Sequence, residues 1–130
     1  MAVQAVAVAD QARDDRPLVL AVDDDRVMRM ALTTMLEDLG YAVLEAVNGQ
    51  EALGIIMERK DEISTILLDR EMPKMDGMEL VRRMKESQEL RKIPVIMQTG
   101  SNRPEQVKEG IDAGIFYYLA KPHNPEVLKS

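Results

Sequence analysis

Residues 63–77 read ISTILLDREMPKMDG: a run broken only by Ser64 and Thr65, then Asp69, then a loop that closes on Gly77. A short apolar, β-branched run ended by a charge reads as a buried strand with Asp69 at its C-terminal end. The pattern recurs three times. Residues 18–22 run into the acidic pair Asp23 and Asp24, residues 94–98 into Thr99, and residues 116–120 into Lys121. In a parallel sheet with helical crossovers, strand C-termini share one edge, and ligand sites gather there. The four polar ends are therefore expected to meet in one crevice.

Outward from Asp69, the chain fills in with helices. Met28, Ala31, Leu32, Met35 and Leu39 recur at helical spacing behind Asp25, which stands where an N-cap belongs, and Gly40 supplies the stop. A strand over residues 42–46 follows, then an Asn48-Gly49 turn and a helix through Ala52, Leu53 and Ile56. The loop over residues 70–76 delivers Gly77 and a helix carrying Leu80, Val81 and Met84. Pro104 opens a fourth helix that stops around residues 110–114. Asp69 and Thr99 lie 30 residues apart, and Thr99 and Lys121 lie 22 apart. Each gap holds one strand–helix unit, because a parallel crossover needs a dozen or more residues. The fold class is α/β, a doubly wound five-stranded parallel sheet. Strand order 2-1-3-4-5 sets the switch point between strands one and three, where Asp23, Asp24 and Asp69 would face one another.

Composition narrows the function. The 130 residues suit one domain with a real core, and 45% hydrophobic residues are ordinary for a globular protein. A net charge of −6, from 17 basic and 23 acidic residues, argues against direct nucleic-acid binding. One histidine and no cysteine disfavour a zinc site and exclude disulfides, which fits a cytoplasmic setting. No run reaches the roughly 18 apolar residues of a membrane span, and residues 1–16 lack the basic start of a signal peptide. Those residues read as a flexible N-terminal extension, leaving residues 17–130 as the domain. The ten methionines read mainly as core filling.

Three carboxylates, a hydroxyl and an ammonium in one pocket point to a divalent cation beside a phosphoryl group. Magnesium is hard, prefers oxygen ligands and commonly takes one or two carboxylates plus waters and a phosphate. Asp69 could attack phosphorus as an oxygen nucleophile and become an acyl phosphate. Phosphoryl transfer needs little beyond alignment and charge neutralisation, which Lys121 and the Thr99 hydroxyl can supply. The amide of Gly100 can approach closely because no side chain stands in its way.

On Val22-Asp23-Asp24, Leu68-Asp69, Met72-Pro73-Lys74-Met75-Asp76-Gly77, Thr99-Gly100 and Lys121-Pro122, the chain resembles the receiver domain of two-component response regulators, of the chemotaxis-regulator type. The resemblance runs from about Pro17 to Lys129 and implies a flavodoxin-like fold acting as a phosphoacceptor switch. It implies Asp69 as phosphoacceptor, taking a phosphoryl group from a histidine kinase or phosphotransfer protein. Asp24 and Asp69 would bind Mg2+ directly, Asp23 through water, and Glu71 through its backbone carbonyl. Thr99, Gly100 and Lys121 would hold phosphoryl oxygens, and Tyr118 would couple to Thr99 as the switch aromatic. By the same resemblance, the domain catalyses its own phosphorylation and dephosphorylation rather than acting as a conventional enzyme.

His123 departs from the aromatic residue common after the Lys-Pro pair. By the same resemblance, Glu71 and Ser101 occupy variable positions expected to tune dephosphorylation. Only nine residues follow Lys121, so the family's fifth helix is short or truncated. That implies an output domain beyond Ser130 or a separate effector protein, with a homodimer as another way to cover the exposed sheet flank. The rival is a haloacid-dehalogenase-type phosphohydrolase, with Asp23 as nucleophile and Asp25 as general acid in an Asp-x-Asp-x-Val stretch. Against it, no second acidic pair follows a later strand. A receiver-like module without phosphorylation is disfavoured because no pocket group is lost. A calcium loop fails because Val27 and Met28 occupy the next ligand and glycine positions.

Overall fold

Runs too apolar to face water on either side become strands sandwiched between helices. The structure, a computed structural model, describes residues 15–72, 74–99, 104–113, 115 and 117–120. In chain order the elements are β1 (Leu18–Val22), α1 (Arg26–Asp38), β2 (Ala42–Ala46), α2 (Gly49–Arg59) and β3 (Ile63–Asp69). They continue with α3 (Gly77–Lys85), a 3-10 turn (Leu90–Lys92), β4 (Val95–Thr99), α4 (Pro104–Ala113) and β5 (Tyr117–Ala120). All paired strands are parallel, and the sheet order is β2-β1-β3-β4-β5. This is the expected doubly wound topology, with its switch point between β1 and β3.

Strand alternation divides the core. Leu20, Val22, Ile66, Leu68, Val95 and Met97 pack with Ala52 and Ile56 of α2 and Leu80, Val81 and Met84 of α3. On the opposite face, Val19 and Leu67 pack against Leu32 and Leu36 of α1, with Ile96 partly buried beside them. The period-2 rule carries that second face onward to Asp69 and Gln98, two residues past Leu67 and Ile96.

Met28 and Leu32 of α1 pack toward the sheet as expected, but the rest of the buried stripe differs. Leu36 is buried, whereas Leu39 is 36% exposed and Ala31 is exposed. The helix ends at Asp38, and Gly40, at φ 100, turns the chain away, so Leu39 caps the helix instead of extending its apolar face. Five methionines (Met72, Met75, Met78, Met84 and Met97) are core residues, but Met30 and Met57 are exposed. The 3-10 turn was not anticipated; it buries Leu90 and leads through buried Ile93 into β4. Among the described residues no helix is long and apolar enough to cross a membrane. Residues 1–14 of the expected extension, Phe116 and the expected start of a fifth helix after Lys121 lie outside the described residues.

Candidate functional site

Asp23 leaves β1 where the sheet ends, and its backbone N–H still bonds the Ala46 carbonyl at 3.1 Å. Its side chain is fully buried. Oδ1 accepts the Asp25 N–H at 2.9 Å, so the chain folds back over its own carboxylate. Arg29, one turn into α1, donates from Nη1 to the Asp23 carbonyl at 2.8 Å and from Nε to Glu45 at 2.9 Å. The helix is thereby tied to the ends of both β1 and β2. Asp25 is the expected N-cap, its Oδ1 accepting the N–H groups of Val27 and Met28 at 2.9 and 3.2 Å.

Asp69 ends β3 in register with Gln98 of β4 and is 1% exposed. Its Oδ1 accepts the Glu71 N–H at 3.2 Å. The loop that follows is built by its motif residues. Met72 and Met75 are buried, and Lys74 takes a left-handed φ of 67. Asp76 caps α3 through the Glu79 N–H at 2.9 Å. Gly77 is required by contact: a Cβ there would lie 2.6 Å from the Asp69 carbonyl oxygen and 2.9 Å from the Arg70 Cα. Gly49 is packed as tightly on the other side of the loop, where a Cβ would fall against the Met75 carbonyl oxygen.

The carboxylates of Asp23, Asp24 and Asp69 converge, with one oxygen from each within 4.8 Å of the others. Asp23 and Asp69 are buried and Asp24 is exposed. A set of hard oxygen donors without nitrogen or sulfur is compatible with a metal ion, and crowded like charges favour one. Glu71 is exposed at the rim of the same loop. Thr99 ends β4 beside this edge, and Tyr118 pairs with Met97, two residues before it. Gly100, Ser101, Lys121, Pro122 and His123 lie outside the described residues.

Two residues escaped the sequence reading. Gln98 is fully buried, and its Nε2 lies 3.5 Å from Asp23 Oδ2. A polar side chain inside an otherwise apolar run was the available signal. Arg29 carried no such signal beyond its charge. The phosphohydrolase reading also loses its acid, since the Asp25 carboxylate is exposed and committed to capping α1.

The response regulator receiver domain model matches residues 19–130. A chemotaxis protein CheY homologue of Campylobacter jejuni is 35% identical over 112 residues, covering 85% of this chain and 85% of that protein. The phosphate regulon transcriptional regulatory protein PhoB of Pseudomonas aeruginosa is 37% identical over 110 residues. That match covers 85% of this chain and 47% of PhoB, so the chain spans about half of PhoB's length. Among solved structures, the chemotaxis response regulator CheY4 of Vibrio cholerae superposes with a TM-score of 0.81 at 36% identity, covering 88% of this chain and 93% of CheY4.

Proposed function

The chain belongs to the response regulator receiver domain family and is a phosphoacceptor switch of two-component signalling, and we propose that Asp69 is the residue phosphorylated. The observation that carries this reading is the convergence of Asp69 with Asp23 and Asp24 at the sheet's switch point. The phosphodonor on this reading is a phosphohistidine of a histidine kinase or phosphotransfer protein. An Asp69 carboxylate oxygen attacks phosphorus, the P–N bond breaks, and the departing imidazole keeps the electron pair and takes up a proton.

The donor set suits Mg2+. As in the family it resembles, Asp24 and Asp69 would hold the ion directly, Asp23 through water and Glu71 through its backbone carbonyl, and three carboxylate oxygens within 4.8 Å of one another are compatible with that share. When bound, Mg2+ neutralises charge on the phosphoryl oxygens. The chain's own residues do the rest. The Asp25 and Glu71 amides orient the buried carboxylates, and Gly77 fixes the Asp69 backbone by close packing. Thr99, Gly100 and Lys121 are assigned to the phosphoryl oxygens and Tyr118 to the switch. The receiver unit spans residues 17–130 with residues 1–16 as an extension, its setting is cytoplasmic, and its output is a further domain or a separate effector.

Incubation with acetyl phosphate and Mg2+ tests the assignment. One acid-stable, base-labile adduct per chain should form and vanish in Asp69→Asn. Full labelling of Asp69→Asn together with loss of labelling in Asp23→Asn would instead favour the phosphohydrolase chemistry.

A further inference from the structure

Among the described residues, the buried polar side chains are Asp23, Asp69 and Gln98. All three fall on one row across β1, β3 and β4, on the face that carries Val19, Leu67 and Ile96. Two of them are carboxylates of the proposed cation centre. The third has no part in the chemistry set out above. A primary amide brings donors and an acceptor out of water, which is costly inside a sheet unless they are bonded.

The Gln98 Nε2 lies 3.5 Å from Asp23 Oδ2, at the long limit of a hydrogen bond. Its geometry gives the direction, since the opposite flip would set the amide carbonyl against a carboxylate. The other oxygen of Asp23 is held by the Asp25 N–H at 2.9 Å. Asp23 is thus gripped at both oxygens, once by its own turn and once from two strands away.

We propose that Gln98 is a positioning residue for the cation centre, its amide holding the Asp23 carboxylate in the orientation that divalent-cation binding uses. This rests on the reading that Asp23, Asp24 and Asp69 share a divalent cation. A side chain fixed in advance loses less freedom when the cation binds, and releasing one ordered side chain weakens binding roughly three- to tenfold. The part of the Gln98 effect that runs through Asp23 must shrink when Asp23 can no longer be held as a carboxylate.

The test is calorimetric titration of Mg2+ into the full unphosphorylated chain, its Gln98→Met and Asp23→Asn variants, and the double variant. Met keeps the volume and removes the amide; Gln98→Leu replaces it if the Met variant does not fold. Gln98→Met should weaken Mg2+ binding about three- to tenfold in the native background and less than about twofold in Asp23→Asn, the signature of two coupled residues. The maximal labelling rate by acetyl phosphate at saturating Mg2+ should stay unchanged while the half-saturating Mg2+ concentration rises. Unaltered affinity, or equal weakening in both backgrounds, overturns the proposal and leaves the cation reading standing. A native chain that does not take up Mg2+ overturns both.

Discussion

Asp24 is exposed where Asp23 and Asp69 are buried, so its removal relieves repulsion without stranding a buried group. Asp24→Asn should therefore weaken Mg2+ binding by roughly tenfold or more, the scale of losing a group that tunes a metal site. The melting temperature in chelator should hold or rise. A Mg2+ titration beside thermal melts measures both, and unaltered affinity refutes the ligand role. Gly77 behaves in the opposite way. The Cβ of Gly77→Ala would press on the Asp69 carbonyl at 2.6 Å and the Arg70 Cα at 2.9 Å, backbone atoms that cannot swing aside. The loop must shift, at a cost of about 1–3 kcal/mol and a Tm lower by several degrees. Labelling by acetyl phosphate should slow at the same time, because the strained carbonyl belongs to Asp69, the proposed phosphoacceptor. Asp23, Asp24 and Asp69 were legible as isolated charges ending apolar runs. Gln98 was not, because it was counted within the apolar run over residues 94–98 and its polarity there was passed over. Its burial follows from β4 lying between β3 and β5, the expected order, so the means to find it were present.

Helices and loops are joined by contacts that sequence spacing does not announce. Arg70, the residue after Asp69, pairs with Glu109 of α4, and Arg82 of α3 reaches the same carboxylate at 3.5 Å. The Arg70 side chain is 12% exposed and that of Arg82 is 60% exposed, and this difference sorts their contributions. Arg82→Ala should change stability by less than about 1 kcal/mol, as for other exposed pairs. Arg70→Ala loses packed methylene surface along with charge, and should cost about 1–2 kcal/mol. Chemical denaturation of the two single variants and of each combined with Glu109→Gln checks the order; equal losses would show that burial does not set it. Charges 39 positions apart carry no periodic signal, whereas Lys108 and Asp112 sit one turn apart on α4 and are readable as a pair. The Asp112 hydrogen bond holds Lys108 above the usual lysine range. That support is complete below the ordinary lysine value and fades as pH rises through the raised one. Part of the α1 stripe was misjudged: Met28 and Leu32 pack toward the sheet and the helix stops before Gly40 as expected, but Leu36 and not Ala31 or Leu39 completes the buried face.

For the whole molecule, the sheet edge connects the acidic cluster to the far side of the domain. Asp69 is in register with Gln98, Thr99 with Ala120, and Met97 with Tyr118, while Arg70 joins the Asp69 loop to α4 through Glu109. A phosphoryl group on Asp69 would therefore bias elements that it does not touch. It can do so only by binding one of two pre-existing arrangements more favourably than the other. A nearly complete switch, from about 1:99 to 99:1, requires roughly 5.5 kcal/mol of preference between the two. Residue-resolved amide spectra, recorded with Mg2+ alone and with Mg2+ plus beryllofluoride as phosphoryl mimic, measure the response. Signals from the Asp69 loop, from Thr99 to Tyr118 and along α4 should move together, with intermediate saturations lying on straight lines between two end points. Thr99→Ala should still bind the mimic but confine the shifts to the loop between Asp69 and Gly77, since the hydroxyl assigned to carry the change into β4 is gone. Shifts confined to that loop in the native chain would sink the coupling through Thr99 and Tyr118. Full propagation in Thr99→Ala would move the route to the Arg70–Glu109 contact, which Glu109→Gln would then interrupt.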